Sequence, residues 1–218
     1  MKPGRVILIN VLLVVALVIL GALGVYLWSQ NYDYVSTADA SINAPSVPVV
    51  ATATGTLASL PVHVGEHLKA GQTVATVTVP PSGKSGPTTV TITAPVNGTV
   101  AQVQAAQGQM VTPGTPLVTE VQLSQVTVVA NIPETKIRRV HVGQSAQVTV
   151  DAHPGVTFTA TVEHIAPATQ SYFSVLPTTA TAGSYTKVVQ RVPVILSVDT
   201  AGYTLLPGEN CEVRITIH

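Results

Sequence analysis

The chain has 218 residues, with 9% charged, 46% hydrophobic and only 4% aromatic side chains, and a formal charge of zero. That length holds one large or two small domains plus an anchor. After Lys2 and Arg5 only eight basic side chains remain against ten acidic ones, a net of −2 that argues against a nucleic-acid binder. A single cysteine, Cys211, excludes an internal disulfide.

The first segment in chain order is Val6–Trp28, 23 residues without a charge. As a helix it spans about 34 Å, enough for a hydrocarbon core of about 30 Å. Tyr26 and Trp28 close it, where amphipathic rings favour the headgroup layer. Lys2 and Arg5 precede it and no basic residue follows until Lys69. The positive-inside bias therefore puts the N-terminus in the cytoplasm and the bulk of the chain outside the cytoplasmic membrane. The rival reading is a cleaved signal peptide, whose apolar core is shorter, about 7–15 residues. The length favours a retained anchor over residues 1–29, followed by a lead-in strand or linker over 30–49.

Next comes an internal repeat. Gly55, Gly65 and Gly71 recur as Gly98, Gly108 and Gly114, each shifted by 43 residues. Leu57, Leu60, Leu68 and Val74 recur at the same shift as Val100, Val103, Val111 and Leu117. One copy has too few apolar positions to bury a face alone, so two copies are expected to share a small core. The reading is a compact β-sandwich over residues 50–120, with the six glycines as structural turn residues. Pro80–Pro87 between the copies is loop chemistry.

From about residue 121 the pattern is strict alternation. Val156, Phe158, Ala160 and Val162 are expected on one face, as are Val213, Ile215 and Ile217. Val126–Ala130, Ala146–Val150 and Val188–Val198 also read as strands, with Pro193 marking an edge or bulge in the last. Residues 121–218 are thus expected to form a small β-barrel, with 168–186 as its longest loop.

Several tempting sites weigh less than their structural alternatives. His63–His67 fits H-x-x-E-H, but zinc catalysis needs a helix to align both imidazoles, and Gly65 interrupts this one. The second copy has Ala106, Gln109 and Met110 at those places. Gly83-Lys84-Ser85 lacks the glycine five residues earlier that a phosphate loop requires. Lys84 lies in the gap where carrier domains hold a modified lysine, but its surroundings do not resemble a ligase recognition turn. Cys211 shares parity with Val213 and reads as a buried small hydrophobe. His141, His153, His164 and His218 form no ligand spacing, and Asn97–Thr99 fits a glycosylation acceptor that also serves the repeat turn. No nucleophile–base arrangement appears, so no catalytic, cofactor or metal residues are assigned.

Taken together, the chain resembles the membrane fusion proteins, or periplasmic adaptors, of the HlyD/EmrA type. Tyr34–Asp39 is similar to the first strand of that family's β-domains, and the two glycine-patterned copies to its paired half-lipoyl motifs. Val128–Thr135, Val142–Gln144 and Asp151–Gly155 resemble the start of its β-barrel. Phe173–Pro177, Lys187–Val194 and Leu206–Gly208 are similar to segments of the drug-efflux branch. The resemblance implies a mainly β fold and a non-catalytic adaptor subunit of an export system. Its implied partners are an integral-membrane transporter, of major-facilitator type by analogy, the lipid bilayer, and further copies of itself. By the same analogy Tyr172, Phe173, Leu176, Gln190 and Arg191 are possible partner contacts. Most members insert a long helical hairpin between the half-motifs; here only Pro80–Pro87 occupies that place, so direct docking to an outer-membrane channel is not expected. The alternative is a membrane-anchored structural or binding module of the envelope that works without a pump.

Overall fold

A computed structural model describes residues 12–24, 33–81, 86–169, 172 and 189–217. Residues 12–24 form a helix, α1, whose Leu, Val and Ile side chains are all exposed. Among the described residues no helix is long and apolar enough to cross a membrane. The expected span Val6–Trp28 lies outside the described residues at both ends, at 6–11 and 25–28.

The chain divides into two compact units. The first comprises residues 42–127 and 202–209. Its strands are β2 (Ser46–Val50), β3 (Gly55–Ser59), β4 (His67–Leu68), β5 (Thr73–Val79), β6 (Thr88–Thr93), β7 (Gly98–Val103), β8 (Met110–Val111) and β9 (Pro116–Val121). They form two four-stranded sheets, β2-β9-β7-β4 and β6-β5-β3-β8. Shifting β3, β4 and β5 by 43 residues lands on β7, β8 and β9, and the pairing repeats with them. His67 pairs with Thr99 and Leu68 with Gly98, while Thr56 pairs with Met110 and Gly55 with Val111. Each copy therefore lends its two-residue strand to the sheet of the other.

Hydrogen bonds obey the same symmetry. Gly65 N–H donates to the Val100 carbonyl and Gly108 N–H to the Leu57 carbonyl, both at 2.8 Å. Gly71 N–H donates to the Ala94 carbonyl at 2.8 Å and Gly114 N–H to the Ala51 carbonyl at 2.9 Å. These four glycines have φ between 84° and 90°, a region costly for residues with a Cβ. The other two expected turn glycines differ. Gly55 and Gly98 open β3 and β7 and are not among the positive-φ residues. A Cβ on Gly55 would strike the Thr78 carbonyl oxygen, and one on Gly98 would lie 3.2 Å from that of Val121. They are glycine for close backbone approach, not for a turn.

The repeat also reaches further back than its glycines suggest. β2 and β6 are themselves mates, with Val49 matching Ile92 and Ala51 matching Ala94, all buried. The fifteen buried apolar residues of this core form seven such pairs plus Val77. The mate of Val77 is Glu120, which is fully buried.

The second unit, residues 1–41, 128–201 and 210–218, contains a closed barrel. Its strand order is β1 (Tyr34–Asn43), β10 (Thr127–Pro133), β13 (Arg191–Val198), β12 (Thr157–Ile165), β11 (Ser145–Val150) and β14 (Asn210–Thr216). Alternate residues fill the interior: Val128, Ala130 and Ile132; Phe158, Ala160 and Val162; Cys211, Val213 and Ile215. Val156 lies before β12 and is only half-buried.

Segment 30–49 is strand over most of its described length: β1 closes the barrel and β2 belongs to the sandwich. One expectation needs correction. Pro193 marks no edge, because β13 lies between β10 and β12. The irregularity in that pairing falls between Val162 and His164, opposite Leu196 and Ile195. Pro193 still contributes its carbonyl, which accepts from Ala166 N–H at 2.9 Å.

Candidate functional site

The expected partner contacts cluster by sequence around the β12–β13 connection, and the barrel positions some of them. Tyr172 is 78% exposed. Phe173 and Leu176 lie outside the described residues. The Gln190 carbonyl accepts from Glu134 N–H at 2.9 Å, tying the chain just before β13 to the short helix α2 (Glu134–Ile137).

Arg191 opens β13 and is held from two other strands. Its guanidinium lies 3.0 Å from Asp39 Oδ2 on β1 and 3.4 Å from the Asn131 carbonyl on β10. Asn131 Nδ2 donates to Asp39 Oδ1 at 3.1 Å, and Thr37 Oγ1 to the Asn131 carbonyl at 3.0 Å. This network spans β10, from β1 on one side to β13 on the other. The Arg191–Asp39 pair is about half exposed, so its contribution is modest, on the order of 1 kcal/mol or less. Sequence reasoning missed Asp39 and Asn131, because nothing in a linear pattern says that β1 lies beside β10.

In the sandwich unit, Val64, Thr99, Val100, Val121, Leu123 and Leu206 line an apolar groove of about 340 Å³. Val64 and Leu206 expose 66% and 52% of their surface there. Nothing in the sequence groups these six, because they come from strands and turns far apart in the chain.

Glu120 is the one buried acidic or basic side chain among the described residues. Neither carboxylate oxygen has a hydrogen-bond partner. Burial alone pushes its pKa up. Its partners across the sheet are Val47 and Val100, and neither β2 nor β7 carries an ionisable side chain.

The H-x-x-E-H residues make local turn contacts. Glu66 Oε2 accepts from His63 N–H at 3.0 Å, and Gln109 Oε1 accepts likewise from Ala106 N–H at 3.1 Å in the other copy. Glu66 and Gln109 thus serve the same cap. His67 Nδ1 lies 2.8 Å from Thr99 Oγ1. Among the described residues no three metal-binding side chains come together. Lys84 lies outside the described residues.

Comparison with known proteins follows this two-unit division. Residues 40–119 match the biotin/lipoyl domain family described as biotin-requiring enzymes, and 125–172 match the CusB-like beta-barrel domain. The Bacillus subtilis protein YhbJ, whose name assigns it to an efflux system, is 35% identical over 216 residues, covering 99% of this chain and 95% of its own. The colistin resistance protein EmrA of Acinetobacter baumannii is 32% identical over 122 residues, or 56% of this chain. The match spans only 35% of that EmrA. Among solved structures, the periplasmic adaptor protein EmrA superposes with a TM-score of 0.57, covering 85% of this chain and 99% of that one at 14% identity. That likeness speaks for the fold.

Proposed function

Because the chain belongs to the HlyD/EmrA-type membrane fusion proteins, the adaptors of efflux systems, we propose that it acts beside an integral-membrane transporter of major-facilitator type. In this reading Val6–Trp28 anchors it in the cytoplasmic membrane, with the N-terminus inside and both β-units outside. It works as a homo-oligomer, carries no catalytic residues, and shapes the exit path at the outer face of the transporter. In this reading Tyr172, Phe173, Leu176, Gln190 and Arg191 are the candidate contacts with the transporter.

The observation that carries this reading is the join between the two half-motifs. β5 ends at Val79 and β6 begins at Thr88, so eight residues replace a helical hairpin. At full stretch they reach at most about 28 Å, and as a closed loop about half that. The near end-to-end match to YhbJ supports this short form as an architecture in its own right. A protein of this build makes no direct contact with an outer-membrane channel, and its role is local to the transporter.

The deciding experiment is photo-cross-linking from Tyr172 in cells of the source organism, with the captured proteins identified by mass spectrometry. Capture of the transporter is expected. Capture of lipid alone, with the protein folded and export active, would sink the partner assignment.

A further inference from the structure

The barrel unit is charged unevenly from one end to the other. Ile217 N–H donates to the Asp33 carbonyl at 3.1 Å, and Tyr34 pairs with Thr216. Gln144 Nε2 reaches the carbonyls of both Arg139 and Ile217 at 3.3 Å. Gly143 N–H donates to the Val162 carbonyl at 2.8 Å. These contacts put the turn between β10 and β11 at the end of the barrel where β1 begins. The chain arrives at that same end from α1.

Every basic side chain described in the barrel strands and turns lies in this half: Lys136, Arg138, Arg139, Arg191 and Arg214. Asp33, Asp39, Glu134 and Glu163 share it, but Asp39 is bound by Arg191. The far half holds Asp151, Asp199 and Glu212 and no described Lys or Arg. Within the basic half, Lys136, Arg138, Arg139 and His141 fall in one turn, and Val142 beside them is 62% exposed.

We propose that this turn, Lys136–Val142, docks on anionic lipid headgroups and seats the β1 end of the barrel on the membrane surface. The inference rests on the anchoring proposed above. Tyr34 follows residue 24 by ten residues, so the β1 end stays within about 35 Å of the helix. A bilayer holding that helix is therefore always within reach. Lys and Arg within a Debye length of an anionic surface each strengthen attachment, roughly fivefold per residue. An exposed valine beside them suits the headgroup boundary. The acidic far half is repelled by the same surface, so the charge pattern sets orientation as well as affinity.

The test uses the full chain in nanodiscs of phosphatidylcholine, with and without phosphatidylglycerol. An environment-sensitive fluorophore is placed at Val142→Cys, and in a second sample at Ala152→Cys in the far half; native Cys211 is buried and stays unlabelled. Quenching by a headgroup-bound quencher is expected at position 142 only with the anionic lipid, and at position 152 with neither. Lys136→Gln with Arg138→Gln, or high salt, should reduce the quenching at least tenfold while the circular dichroism stays unchanged. Equal quenching in both discs, no quenching in either, or quenching that requires a co-reconstituted transporter would overturn the inference alone. A chain that fails to co-elute with either disc would overturn the anchoring as well.

Discussion

At the scale of single residues, Glu120 departs most from its surroundings. It stands where the pseudo-symmetric half has Val77, in a core with no partner for its carboxylate. Its pKa is raised by desolvation, so the folded state favours the protonated form. The stability linked to this group is fully present below the ordinary carboxylate range and is lost as pH rises through the folded-state value. The melting temperature of the wild type should therefore fall on going from mild acid to neutral pH by more than that of Glu120→Val. At neutral pH that variant should be more stable by about 1–3 kcal/mol, the usual penalty of an unsatisfied buried polar group. Equal pH dependence in both proteins would show that the carboxyl finds water or a partner. The glycines make a second prediction. Valine at Gly65, Gly71, Gly108 or Gly114 forces a Cβ into positive φ and should destabilise by about 1–3 kcal/mol in urea titrations. Gly55→Ala should also destabilise, for a different reason: its φ is ordinary, but its Cβ meets the Thr78 backbone.

At the scale of elements, the exchanged strands β4 and β8 make the two half-motifs interdependent. Leu68 and Val111 sit in equivalent places on these strands and are both nearly fully buried. Leu68→Ala should cost about 2–5 kcal/mol and loosen both sheets together. A peptide covering residues 46–79 alone should show no β-structure by circular dichroism, because β2 lacks β9, β3 lacks β8 and the core lacks about half of its members. A folded peptide would show that strand exchange is dispensable. The loop between β5 and β6 has the opposite status. Deleting residues 81–86 should leave the melting temperature nearly unchanged and spare transport. Loss of export with the protein still bound to its transporter would reveal a contact made by the loop.

At the scale of the whole molecule, topology is the claim to test. Protease added to intact spheroplasts should digest both β-units, and the N-terminal segment should remain in the membrane. Full protection, or a mature N-terminus near residue 41, would contradict the anchored arrangement. The sequence by itself determined the two-part β organisation and the half-lipoyl repeat. Periodicities of 2 and of 43 residues are local or translational patterns, and burial of one strand face writes them directly into the chain. It also marked the positive-φ glycines at Gly65 and Gly71 and at their mates, because glycine is the residue that tolerates that backbone. Only the tertiary structure decided what depends on neighbours distant in sequence. Gly55 and Gly98 look like turn glycines until a facing carbonyl is seen to fill the place of their Cβ. β2 joins the repeat through Val49 and Ala51, whose match to Ile92 and Ala94 carries no glycine to flag it. Glu120 reads as a surface carboxylate in Thr-Glu-Val, and becomes a buried orphan because its strand is sandwiched between β2 and β7. Arg191 reads as a free contact residue, and is held by Asp39 because the barrel places β1 and β13 on either side of β10, where the two side chains meet at 3.0 Å. Each of these depends on which strand lies beside which, and strand order in a closed sheet is settled by global packing of the core.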